Sequence, residues 1–232
     1  MDVYYQKAGE GKPIIYLHGW GCSGDIFLPT VRYLPDYCNY LIDFPGFGKS
    51  SPPPESGWNV FDYANRLIAF TEELNLDGAT VVGHSFGCRV AMATAYVRPE
   101  LVERLLLVAP AGLRRFSLKR WSKELLYKAR KRFGKNTKAY GSDDYRNCSE
   151  TMKNTFVNVV NQDLSAYAKV IKQPTLIVCG RQDTATPLKD ARKLHKYIVN
   201  SSLAEVDGDH FAMFYAPKAF AKTIRLFTEE RL

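Results

Sequence analysis

Cysteine is scarce in this chain. Cys22, Cys38, Cys88, Cys148 and Cys179 form an odd, scattered set with no Cys-x-x-Cys pair. That spacing argues against a disulfide framework and against a zinc site, and it fits a reducing compartment. Long apolar runs are missing as well, and no stretch approaches the ~20 apolar residues of a membrane-spanning helix. The first residues, Met1 to Lys7, lack the basic, apolar and small-residue regions of a secretory signal. The expected location is therefore the cytoplasm. There is no internal repeat and no low-complexity tract. Histidine is rare too: His18, His84, His195 and His210 are the full set, so the choice of an imidazole base is narrow.

What remains suits one α/β domain carrying an insertion: 232 residues with 46% hydrophobic content. Short apolar runs recur along the chain. Val3–Gln6, Ile14–Leu17, Tyr40–Ile42, Thr80–Val82, Leu105–Val108, Pro174–Cys179 and Leu203–Val206 read as strands, most of them too uniformly apolar to have a wet face. Helix-compatible segments lie between them. One runs from about Ile26 to Leu34, one from an N-cap at Asn59 to about Leu74, and one follows Thr80–Val82. Another opens at Pro187 with proline in the first helical position and runs to about Tyr197, and the last spans about Pro217 to Glu229. Strands that alternate with helices predict a mostly parallel sheet covered on both faces. Residues 113–172 interrupt the alternation, being polar, helix-compatible and without an apolar strand. They are expected to form a small helical cap inserted into a core of residues 1–112 and 173–232.

The stretch Val81-Val82-Gly83-His84-Ser85-Phe86-Gly87-Cys88 reads Gly-x-Ser-x-Gly between a strand and a helix. A chain that turns so sharply needs residues without a Cβ beside the bend, which Gly83 and Gly87 supply. Ser85 then sits at the apex in a strained conformation with its hydroxyl exposed. A serine hydroxyl is a weak nucleophile near neutral pH and needs a base, an acid orienting that base, and donors for the developing oxyanion.

Of the four histidines, His84 lies within the turn and is expected to point away from the reaction face. His18 is expected to brace the glycine-rich His18-Gly19-Trp20-Gly21 loop, and His195 to be a solvated residue on a lysine-rich helix. His210 follows the last strand, at the carboxyl edge where Ser85 also lies, and is the expected base. Asp183 follows strand 174–179 and is the expected acid. Asp207 and Asp209 are alternatives, but a residue so near His210 in sequence rarely reaches the imidazole from the side opposite the nucleophile. The order Ser85, Asp183, His210 is that of a hydrolase triad. Two backbone N–H groups, of Phe86 and of Trp20, are the expected oxyanion donors.

Taken with Asp43-Phe44-Pro45-Gly46-Phe47-Gly48-Lys49-Ser50 and Gly180–Pro187, these motifs resemble the α/β-hydrolase superfamily. Within it they are similar to the small cap-bearing esterases and the carbon–carbon bond hydrolases. The His-Gly-Trp-Gly loop looks most like that of the pimeloyl-acyl-carrier methyl ester esterases. The family usually begins with one more strand. The resemblance implies a serine hydrolase without metal or organic cofactor, cleaving a small-molecule carboxylic ester or thioester. A carbon–carbon bond hydrolase of ring-cleavage products would use the same triad. A non-catalytic ligand-binding or interaction protein on the same fold is the alternative of another class.

The charge is concentrated. Residues 114–138 hold eleven Lys or Arg against one Glu, a net +10 that leaves −2 on the rest of a chain whose total is +8. Such a segment over the site mouth would draw in an acidic acyl carrier or an anionic membrane surface. Nucleic acid is not expected, because no groove reader or stacking platform accompanies the charge.

Overall fold

The computed structural model describes residues 3–114 and 142–230. Seven strands form one sheet: β1 Tyr5–Ala8, β2 Lys12–Leu17, β3 Tyr37–Ile42, β4 Ala79–His84, β5 Val102–Val108, β6 Thr175–Gly180 and β7 Ser201–Val206. Their order is β1-β3-β2-β4-β5-β6-β7. Only β1 runs antiparallel, against β3; every other pairing is parallel. Each strand expected from an apolar run is present.

The described residues contain five helices of ten or more residues: α1 Val60–Glu73, α2 Phe86–Val97, α3 Glu150–Asn161, α4 Leu188–Tyr197 and α5 Pro217–Thr228. They make the sheet a three-layer structure. In β2, Ile15 and Leu17 face the core shared with α1 and α2, while Ile14 and Tyr16 face the core shared with α5. Both faces are therefore dry, which explains why the strands are continuous apolar runs rather than alternating ones. The Tyr16 hydroxyl that this places deep in the sheet is satisfied: it donates to Asn39 Oδ1 at 2.9 Å.

Two helix expectations change. Residues 26–34 are not one helix but a 3-10 turn, Gly24–Phe27, followed by a single α turn, Leu28–Val31. Pro187 is the residue before α4, in extended conformation (φ −57°, ψ 147°), not its first helical residue. The Asn59 N-cap is present with a full capping box: its side chain accepts from Phe61 N–H while Asp62 accepts from Asn59 N–H.

Of the expected cap, residues 115–141 lie outside the described residues. Its described part is helical, with short helices Asp143–Asn147 and Ser165–Ala168 on either side of α3. It is tied to the core by hydrogen bonds. Ser56 Oγ donates to the Thr151 carbonyl at 3.0 Å, Gly57 N–H to Thr155 Oγ1 at 3.1 Å, and Val60 N–H to Gln162 Oε1 at 2.8 Å. The buried Arg89 of α2 donates to the Gln162 carbonyl at 2.8 Å. Among the described residues no helix is long and apolar enough to cross a membrane.

Candidate active site

Parallel strands bring their carboxyl ends to one edge, and ligands in such sheets sit beyond it. Here β2, β4, β6 and β7 end respectively in the His18–Gly21 loop, Ser85, the Asp183 turn and the His210 loop. Ser85 links β4 to α2 with φ 51° and ψ −107°, a conformation a residue with a Cβ rarely adopts. The neighbours leave no room for another arrangement. A Cβ on Gly87 would lie 2.1 Å from the Leu17 carbonyl oxygen, and one on Gly83 2.8 Å from the Cys88 nitrogen. The bend is held by Ser85 N–H donating to the Val108 carbonyl at 3.0 Å and Cys88 N–H to the Ser85 carbonyl at 3.1 Å. Phe86 is the first residue of α2, so its N–H is one of the donors a helix leaves unused, at the positive end of the helix dipole.

His210 and Asp183 come together. His210 Nδ1 lies 2.8 Å from Asp183 Oδ2. A carboxylate can only accept, so Nδ1 carries the proton and Nε2 is the free nitrogen of the neutral ring. Asp183 is buried and fully engaged. Its Oδ1 accepts from Thr186 N–H and its Oδ2 from the Thr186 hydroxyl, each at 2.8 Å. Burial disfavours the carboxylate, but the hydrogen bonds from His210 and Thr186 outweigh it and hold the group below its ordinary range. Asp207 and Asp209 are exposed and point elsewhere. Asp207 pairs with Arg181 at 3.0 Å, and Asp209 takes bonds from Phe211 N–H at 2.8 Å and the Tyr215 hydroxyl at 3.2 Å.

Ser85, His210, Trp20 and Phe86 all line one cavity of about 660 Å³. Among the described residues no hydrogen bond joins Ser85 Oγ to the His210 ring, a gap that sites without substrate commonly show. The Trp20 indole closes one side of the cavity. It meets Phe47, Phe86 and, from α3, Phe156, edge to face at 4.8, 5.3 and 5.1 Å.

The remaining histidines divide. His18 braces its loop as expected. Its Nε2 accepts from Phe44 N–H at 3.0 Å, which leaves Nδ1–H to donate to the Gly19 carbonyl at 2.7 Å, and burial pushes its pKa down to about 4. His195 is half-buried rather than solvated, with Nδ1 2.8 Å from Ser201 Oγ at the start of β7. His84 does not point away: its ring lines the cavity and lies 4.8 Å from the His210 ring.

Sequence reasoning also missed Thr186, whose hydroxyl lies 3.3 Å from His210 Nδ1 as well as against Asp183. The signal was present, because an Asp in a turn commonly accepts from backbone N–H groups two or three residues ahead of it. Among the described residues there is no group of three or more His, Cys, Asp or Glu side chains able to hold a metal.

Comparison with known proteins agrees with the fold. A family model described as the alpha/beta hydrolase fold matches residues 12–140. The AB hydrolase superfamily protein YisY of Bacillus subtilis is 26% identical over 94% of this chain and 91% of its own length. The pimeloyl-[acyl-carrier protein] methyl ester esterase of Wigglesworthia glossinidia brevipalpis is 24% identical over 98% of each. Among solved structures, a meta-cleavage product hydrolase from Pseudomonas fluorescens superposes with a TM-score of 0.76 at 22% identity. That match covers 99% of this chain and 95% of the other.

Proposed function

We propose, for a chain that belongs to the α/β-hydrolase family and is a hydrolase, that it cleaves a carboxylic ester or thioester through an acyl-enzyme on Ser85. The observation that carries this reading is the 2.8 Å bond from His210 to the buried Asp183, set in the same cavity as a serine at positive φ. In this mechanism His210 Nε2 takes the Ser85 proton as Oγ attacks the carbonyl carbon. Asp183, kept charged, fixes the tautomer that leaves Nε2 free and stabilises the imidazolium. The backbone N–H groups of Phe86 and Trp20 receive the oxyanion. His210 returns the proton to the departing alcohol or thiol, and water then attacks the acyl-enzyme by the same route in reverse. No metal or organic cofactor takes part.

The experiment is labelling with a fluorophosphonate probe, followed by turnover of nitrophenyl esters of increasing acyl length. We expect one label per chain, none in Ser85→Ala, and ester turnover that stops with the same substitution. Labelling that survives in Ser85→Ala sinks the reading. A ring-cleavage product turned over faster than every ester would move the chemistry to carbon–carbon bond hydrolysis.

The basic segment 114–138 is proposed as an electrostatic collar for an acidic acyl carrier, with an anionic membrane surface as the alternative partner. Its residues beyond Arg114 lie outside the described residues, so its support is the charge density of the sequence. Salt screens such attraction over a Debye length of ~10 Å at 0.1 M. The kcat/KM for a carrier-bound or anionic ester is therefore expected to fall as ionic strength rises, while that for a neutral ester barely moves. Gln at Arg130, Lys131 and Arg132 should remove the difference. Equal salt responses for the two substrates would reduce the charge to a solvated surface.

A further inference from the structure

His84 has no role in the chemistry above, yet it is 1% exposed and stands between the two loops that chemistry depends on. Its Nε2 lies 3.1 Å from the His210 carbonyl oxygen. A carbonyl only accepts, so Nε2 bears the proton and Nδ1 the lone pair. That Nδ1 has no hydrogen-bond partner among the described residues. It faces Gly19 instead, so closely that a Cβ on Gly19 would lie 2.8 Å from it and 3.2 Å from the adjoining ring carbon. On the other side the ring packs at 4.8, 5.2 and 5.0 Å against His210, Phe211 and Phe214. Burial first, then the neighbouring His210, hold the imidazole pKa down to about 3, so the ring is neutral in this place.

We propose that His84 is a positioning residue that fixes the His210 loop and the Gly19–Trp20 loop relative to each other across the cavity. One edge of the ring holds the His210 backbone by a hydrogen bond. The adjoining Nδ1–Cε1 edge sets how near the glycine loop can come. The base and one oxyanion donor are thereby spaced by a single rigid group rooted in β4, next to Ser85 itself. Phenylalanine would keep the spacing without the backbone bond, and a longer amide would keep the bond. The proposal rests on the reading of Ser85 and His210 as nucleophile and base.

The test is hydrolysis of p-nitrophenyl acetate by His84→Phe and His84→Gln, with fluorophosphonate labelling of the same preparations. Gln places an amide N–H near the position of Nε2–H; Phe keeps a ring and loses the donor. We expect kcat of His84→Phe to fall about 10- to 100-fold with KM changed by less than about twofold, the scale of a ~1 Å misplacement of reacting groups. His84→Gln should recover most of that loss. Equal losses in the two variants, no loss in His84→Phe, or a loss carried by KM overturns the proposal.

A second measurement does not require His84→Phe to fold. Gly19→Ala adds a Cβ whose nearest neighbours are two atoms of the His84 ring, followed in ordinary contact at 3.5 Å by the Ser85 Cβ. It should cost about tenfold or more in kcat beside His84, and much less in a His84→Ala background, because the two residues are coupled. An undiminished penalty overturns the proposal. Wild-type protein that takes no label at Ser85 would overturn the underlying reading instead, so the two failures are distinguishable.

Discussion

Ser85→Ala and His210→Ala are each expected to lower kcat by about 10³-fold or more, and the double variant to be little worse than either. Nucleophile and base act as one unit, so removing the second partner takes away nothing the first had not already disabled. Asp183→Asn should cost somewhat less. The Thr186 hydroxyl, 3.3 Å from His210 Nδ1, remains as a second acceptor for the ring proton once the carboxylate is gone. Removing that hydroxyl as well should bring Asp183→Asn nearer to the loss of the base itself. Single-turnover acylation by a nitrophenyl ester measures these losses free of product release. Losses that simply multiply from Ser85→Ala and His210→Ala would count against a shared role.

Acid is expected to destabilise this protein well above the pH at which carboxylates titrate. His18 and His84 are both fully buried and are held down to about 4 and about 3 in the folded chain, chiefly by burial. In the unfolded chain both return to about 6.5. Below that value the unfolded state binds protons that the native state refuses. Stability is therefore complete above about pH 6.5 and declines as pH falls toward the folded values. Each imidazole contributes about 1.4 kcal/mol per pH unit, so the pair removes on the order of 4 kcal/mol by pH 5. That is a large share of the ~5–15 kcal/mol by which a domain is stable. Asp183 adds to the loss only lower down, because its depressed carboxyl matters as pH drops below its unfolded value near 4. Urea midpoints taken between pH 7.5 and 5 measure the slope, and His84→Gln should reduce it by roughly half. A midpoint that stays flat across this range would falsify the assignment of both rings as buried and neutral.

The strands were legible because burial on two faces writes itself as unbroken apolar runs. Ile14–Leu17 and Leu105–Val108 needed no tertiary information. Ser85 was legible because its bend demands glycine on both sides, and Asp183 because a strand end precedes it. The misreadings have both distant and local causes. Where the His84 ring points is decided by the loop after β7, more than a hundred residues away, and nothing in Gly-x-Ser-x-Gly encodes it. His195 is half-buried because its helix turns directly into Ser201. Pro187 illustrates a local ambiguity: the fixed φ of proline suits both the first helical position and the residue before it. Only ψ, 147° here, separates the two.

The bonds that tie residues 151–162 to residues 56–60 also bear on the order in which the molecule assembles. Ser56 and Thr151 are 95 residues apart in sequence, and Val60 and Gln162 are 102 apart. Closing loops of that length costs chain entropy before any contact repays it. The Cys88 N–H to Ser85 carbonyl bond at the bend between β4 and α2 closes only three residues, has no such cost and is expected to form earlier. Contacts absent from the folding transition state leave the folding rate alone and lower the unfolding rate. The Gln162 and Thr155 bonds are therefore expected to slow unfolding more than they speed folding. Until they close, Trp20 lacks its Phe156 partner and leaves more of an apolar ring to solvent, which favours self-association of a folding chain.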